Sequence, residues 1–86
     1  MRTILFSPEA LKQLDEWKSD QPKIAVKIVV LITEISDTPF SGTGWPEPLK
    51  CNLKGKWSRR ITREHRLVYE VTDTSIKIVS CKFHYD

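Results

Sequence analysis

Cysteine, histidine and glycine are scarce in this chain, with two, two and three copies among 86 residues. Cys51 and Cys81 fall in no Cys-x-x-Cys or Cys/His spacing, which leaves no basis for a disulfide framework or a zinc module. With only two histidines and two scattered cysteines, no metal-ligand cluster is recognisable and no metal is expected. There is no Gly-rich loop leading into Lys-Ser/Thr, no dinucleotide fingerprint and no Gly-x-Ser-x-Gly, so phosphate-cradling and serine-hydrolase chemistries lack support and no cofactor is expected. Long apolar runs are missing as well. The longest, Ile28 to Ile32, is five residues, against roughly 20 for a membrane span. No apolar signal-peptide core follows Met1, and the expectation is a reduced, cytoplasmic protein without membrane contact.

What is present is a single domain, 1–86, with an uneven charge distribution. Net charge is +3, yet Lys50 to Arg66 holds seven basic residues against one acid, Glu64, while the remainder carries seven against ten. A mildly acidic body thus bears a segment of +6, with Trp57 inside it, of the kind that neutralises nucleic-acid phosphates. Short basic runs also solvate ordinary exposed hairpins, and from charge alone the two readings stand level.

Periodicity gives the fold class. Thr3 to Phe6 is a β-branched and aromatic run, and Ser7-Pro8-Glu9 then supplies an N-cap, a first-turn proline and a first-turn acid. The first helix repeats apolar residues at Leu11, Leu14 and Trp17 until Asp20-Gln21-Pro22 interrupts it. A second helix starts near Pro22, with Ile24, Ile28, Leu31, Ile32 and Ile35 forming one core-facing stripe. From Asp37 to Gly55 the proline and glycine punctuation predicts an ordered loop. Trp57–Thr62, Arg66–Thr72 and Ser75–Phe83 then read as a three-strand antiparallel meander. The class is α+β, strand, helix, helix and meander, with the helices packed on one side of the sheet. Alternation sets Trp57, Arg59 and Ile61 on one face of the first meander strand and Arg60 on the other, away from the core; Arg66 opens the next strand at the rim.

Acid–base chemistry is what this inventory leaves. RNA carries its own nucleophile, the 2′-hydroxyl, so cutting it without metal requires a base, an acid for the leaving 5′-oxygen and cations on the phosphorane. Glu47 is the candidate base, stiffened by Pro46 and Pro48, although Pro-Glu-Pro by itself reads more readily as a solvated turn. His84 is the candidate proton donor, because histidine titrates near neutrality. His65 competes with it, its other reading being that it orders the turn before Arg66. Arg60 and Arg66 could stabilise the phosphorane, and Lys50, Lys54 and Arg59 complete the cations available to RNA. Tyr85, Trp45 and Trp57 could stack on bases, with Tyr85 favoured for that role and core packing as the competing use of all three.

The stretch TPFSGTGWPEPLKCNLKGKWSRRITREHRLVYEV, with SCKFHY near the end, resembles the YoeB toxins of the RelE superfamily, and WSRRITREHRLVY carries most of that likeness. The resemblance covers nearly the whole chain. It implies a RelE-like single domain acting as the toxin of a type II toxin–antitoxin system, an mRNA interferase that enters the A site of the 70S ribosome, against ribosomal RNA, and inhibits translation by cutting the message there. It also implies metal-independent 2′-hydroxyl attack, with a 2′,3′-cyclic or 3′ phosphate and a 5′-hydroxyl as products. The family's base falls on Glu47, its transition-state arginine on Arg66, its proton donor on His84 and its functional terminal tyrosine on Tyr85; Lys50 and Arg60 match further cations. A YefM-like antitoxin is the implied partner, and a homodimer is an assembly the resemblance allows. Two departures stand out: Cys51 where the family has His, and Asp86 beyond the familiar His-Tyr end. The alternatives are a catalytically inactive RNA- or antitoxin-binding module and an RNase that cuts free RNA.

Overall fold

The computed structural model describes residues 2–84, so Tyr85 and Asp86 lie outside the described residues. Strand β1 (Thr3–Phe6) leads into helix α1 (Pro8–Asp20), followed by α2 (Pro22–Asp37), a two-residue strand β2 (Glu47–Pro48), a 3-10 turn (Cys51–Leu53), and strands β3 (Lys56–Arg60), β4 (Arg66–Val71) and β5 (Ser75–Phe83). They build an α+β fold in which the five strands form one sheet, ordered β1-β5-β4-β3-β2. The expected meander is its centre. Two edges were not anticipated: β1 lies parallel to β5, and β2 pairs antiparallel with β3.

Ser7 starts α1 as expected, its hydroxyl accepting from the Ala10 amide at 3.0 Å while donating to Val79 O at 2.8 Å. That second bond ties the helix start to β5. The buried stripe of α1 is Ala10, Leu14 and Trp17, not Leu11, which is half exposed. Residues 10, 14 and 17 follow i, i+4, i+7, and the smallest of them lets the helix approach the sheet closely. In α2, Ile28, Leu31, Ile32 and Ile35 are buried and Ile24 packs at the edge of the core, as the spacing predicts. Leu67, Tyr69, Ile76, Ile78 and Cys81 complete the core from the sheet side. Burial raises the Cys81 thiol to about 11, so it is an inert packing group; Cys51 is exposed, and both cysteines are free. No described helix is long and apolar enough to cross a membrane.

The loop between α2 and β2 is held from below by Arg59, whose side chain is fully buried. Its guanidinium donates to Tyr69 Oη at 3.2 Å, to the carbonyls of Thr38 at 2.5 Å, Ser41 at 2.9 Å and Thr43 at 3.2 Å, and to the Glu34 carboxylate. Glu34 in turn accepts from the Thr43 amide at 2.6 Å and hydroxyl at 3.0 Å, and Tyr69 Oη donates to Pro39 O at 2.7 Å. A loop too rich in proline and glycine for a regular element is thereby ordered without a ladder of its own.

Candidate active site

Beyond this anchor the chain runs into the strand that carries Glu47. Gly44 O accepts from Arg60 N–H at 2.7 Å, which fastens the loop to the end of β3. Gly44 has φ +86°, and a Cβ there would stand 3.0 Å from the Arg60 carbonyl, so glycine is required for this approach. The next three residues are Trp45, Pro46 and Glu47. Glu47 pairs in register with Ser58 and Pro48 with Trp57; at the sheet edge proline's missing N–H leaves no ladder bond unmade. Buried Leu49, its N–H donating to Lys56 O at 2.9 Å, pins the far side of Glu47. The carboxylate is therefore held at both ends by backbone, a finer arrangement than the proline clamp read from sequence.

Glu47 Oε1 accepts from Arg66 Nη1 at 2.9 Å. Arg66 opens β4 opposite Phe83 on one side and Arg60 on the other, so two guanidinium groups share one cross-strand position. Arg66 also lines an open polar cleft of about 460 Å³ with Arg63, Glu64 and His84. A carboxylate, an arginine and an exposed imidazole thus meet at one end of the sheet. Arg63 and Glu64 enter this cleft from the β3–β4 turn, where the sequence offered only turn signals.

His65 sits behind His84, with ring centroids 4.3 Å apart edge to face, and its other side meets Trp17 at 5.0 Å. Its carbonyl accepts from the Ile61 and Thr62 amides, and its own amide donates to Thr62 Oγ1 at 3.0 Å. His65 therefore orders the turn, one of its two readings, and also backs the neighbouring imidazole. Burial first, then repulsion from His84, pushes its pKa below 6.5 against the opposing pull of Glu64; Nδ1 is buried without a hydrogen-bond partner. Because the folded value is depressed, the unfolded chain binds the proton more tightly, so this histidine's contribution to stability is present above about 6.5 and lost as pH falls. Urea melts at pH 7.5 and 5.5 should therefore show a smaller acid-side loss in His65→Gln than in the unsubstituted chain. Equal losses would show that His65 is not the group responsible.

The cations expected to meet RNA separate into three kinds. Lys50 and Lys54 are exposed on either side of the 3-10 turn. Arg60 is half-buried beneath the Trp45 ring, its guanidinium carbon 4.5 Å from the ring centroid. Arg59, expected among the RNA-facing cations, is instead enclosed in the loop anchor with no exposed surface. Strand alternation places it on the core face, whereas its charge reads as outward-facing, because a buried cation needs five partners that no local pattern reveals. Trp57 packs against Phe40 at 4.9 Å and against the core. Among the described residues no group of three or more His, Cys, Asp and Glu could hold a metal ion.

Known proteins resemble this chain in sequence and in fold. Residues 6–85 match the family described as YoeB-like toxin of bacterial type II toxin–antitoxin system. Toxin YoeB of Escherichia coli strain K12 is 50% identical over 82 residues, covering 95% of this chain and 98% of that protein. Among solved structures, the YoeB dimer from Staphylococcus aureus superposes with a TM-score of 0.91 at 46% identity, covering 98% of both chains. The heterotetrameric YoeB–YefM toxin–antitoxin complex of the same organism superposes at 0.88 and 45% identity, covering 99% of each. Sequence and fold agree over nearly the whole length, and the chain belongs to the YoeB family of type II toxins.

Proposed function

We propose that this toxin is a ribosome-dependent endoribonuclease that cuts mRNA in the A site by metal-independent acid–base catalysis. The observation that carries the reading is the Glu47–Arg66 pair at 2.9 Å, beside a cleft that Arg66 shares with His84. Glu47 takes the proton of the 2′-hydroxyl, and that oxygen attacks the adjacent phosphorus. Arg66 moves from the carboxylate to the phosphorane oxygens as charge builds there, and His84 gives a proton to the 5′-oxygen as the P–O5′ bond breaks. A cyclic 2′,3′-phosphate and a 5′-hydroxyl result, with every proton assigned. Tyr85 is assigned to the same site as a neighbour of the message. Lys50 and Arg60 neutralise flanking phosphates and Lys54 extends that surface; a fully buried Arg59 takes no part.

The open shape of the site supports dependence on the ribosome. Glu47 is half exposed and the cleft is open, so the protein alone gives little to hold a flexible message in line for attack. Ribosomal RNA and the paired codon would supply that constraint. The toxin would act in the cytoplasm, under control of a YefM-like antitoxin such as the one bound by its Staphylococcus aureus relative, and self-association like that relative's dimer is part of the same proposal.

Cleavage mapping on programmed ribosomes tests the reading, with wild type, Glu47→Ala and His84→Ala, and with free RNA as control. A single set of cuts in the A-site codon, present only with wild type on ribosomes, is expected. Equal cutting by all three proteins would remove these residues from the chemistry. Ribosome binding with an intact message would identify a binding module, and equally fast cutting of free RNA would end the ribosome requirement.

A further inference from the structure

Trp45 is 70% exposed, more than any other large hydrophobic residue among those described. Its backbone is also unusual, with φ +53°, a left-handed conformation disfavoured for a bulky aromatic side chain. Neither feature helps the fold. Both persist because Gly44 welds the turn to β3 through the Arg60 amide and Pro46 continues it into β2. The result is an indole fixed two residues before Glu47. Arg60 lies against one ring face at 4.5 Å, and the high exposure leaves the opposite face to solvent. Arg60 is the cross-strand partner of Arg66, so the ring stands one residue pair from the candidate scissile site.

We infer that the outer face of Trp45 is a stacking shelf for one nucleobase of the message next to the cut. The inference rests on the proposed ribonuclease reading and adds a base-binding position to it. An exposed indole accepts any base by its π-face. The guanidinium beneath it lends charge to the stack while its N–H edge remains available to the adjoining phosphate. RNA is favoured over a protein ligand because the shelf adjoins the site's own cations, Arg60 and Arg66. Phe40, also half exposed, offers no comparable platform because its ring already packs on Trp57.

The test is a cycle of single-turnover cleavage on programmed ribosomes at limiting toxin, with wild type and Trp45→Ala, on intact message and on messages carrying one abasic nucleotide beside the cut. Loss of a stacked base should weaken productive binding by about tenfold or more. Trp45→Ala should show that loss on intact message, one abasic position should reproduce it with wild type, and the two together should give no further loss. Trp45→Phe should stay within a few-fold of wild type. Trp45→Gly should melt no lower than wild type, since glycine suits this backbone, yet cleave as poorly as Trp45→Ala. Losses that multiply at every abasic position, no loss in Trp45→Ala, or an effect on antitoxin binding alone would each overturn the shelf.

A separate binding arm keeps the shelf distinct from the chemistry. A 2′-O-methyl message fragment, which cannot be cut, should quench the indole fluorescence of wild type more than that of Trp45→Phe. Quenching with Glu47→Ala still cutting would uphold the shelf and sink the assigned base; no difference in quenching would sink the shelf alone.

Discussion

Glu47→Ala is expected to lower message cleavage on ribosomes by roughly 10²–10⁴-fold, the range that a positioned general base contributes. The melting temperature should move by only a few degrees. Two magnitudes separate these outcomes. The Glu47 side chain is 49% exposed and that of Arg66 19%, and a partly solvated ion pair stabilises a fold by about 0–1 kcal/mol. For a chain of this size, 1 kcal/mol shifts the midpoint by about 4–8 °C. Its catalytic share, by contrast, is paid out only in the transition state and is not diluted by solvent in the resting protein. Single-turnover cleavage and thermal melts on the same preparation give the comparison. A variant that melts like wild type and cuts within threefold of it would show that Glu47 is only half of a surface salt bridge. Glu47→Gln discriminates further: it keeps the shape and a hydrogen-bond acceptor for Arg66 but cannot take the proton, so it should cut as poorly as alanine.

The elements that could be read from sequence are those whose information is local. Ser7-Pro8 at a helix start, the isoleucine spacing of α2 and the strand-forming runs of β4 and β5 each fix an element without reference to distant residues, and each lies where the local pattern puts it. Misreadings occurred where the deciding partner is far away in sequence. Leu11 matched helical spacing as well as Ala10 did, and only the approach of β5 decides which one is buried. Strand β2 is two residues long and exists because β3 offers it an edge. Glu47 beside Arg66 is a contact across 19 residues; composition supplied the residue types, the family resemblance supplied the roles, and geometry supplied the pairing. From sequence, Trp45 reads either as a stacking residue or as a core-packing one. Its exposure answers that question, while its positive φ could not be inferred from a tryptophan between glycine and proline.

Arg59→Met should be the most destabilising single change at the loop anchor, although Arg59 stands in the basic segment beside residues that face solvent. The substitution keeps the apolar stem and removes five donors at once. It strips partners from the Tyr69 hydroxyl and the carbonyls of Thr38, Ser41 and Thr43. Removing one side of a buried charged network costs about 3–5 kcal/mol, and water reaching the partly buried loop carbonyls places the expectation near the lower end. At about 4–8 °C per kcal/mol, the melting temperature should fall by on the order of 15 °C. Arg59→Lys should recover little, since one ammonium cannot serve partners spread around a planar fork. The acid limb should change too. Hydrogen bonding from the Thr43 amide, reinforced by Arg59 against an opposing effect of burial, holds the Glu34 carboxyl below 4.5. Its contribution is present above that value and fades as pH falls through the folded one, so the acid-side loss should shrink in Arg59→Met. Gly42→Ala probes the same anchor from the loop, because its Cβ would collide with the Glu34 carboxylate at a φ of +123°. Cleavage by Arg59→Met, measured well below its melting midpoint, should also drop, since the loop it secures leads directly to Glu47. Weakened RNA binding with an unchanged melting temperature would instead make Arg59 an exposed RNA contact, and the anchor would have to be abandoned.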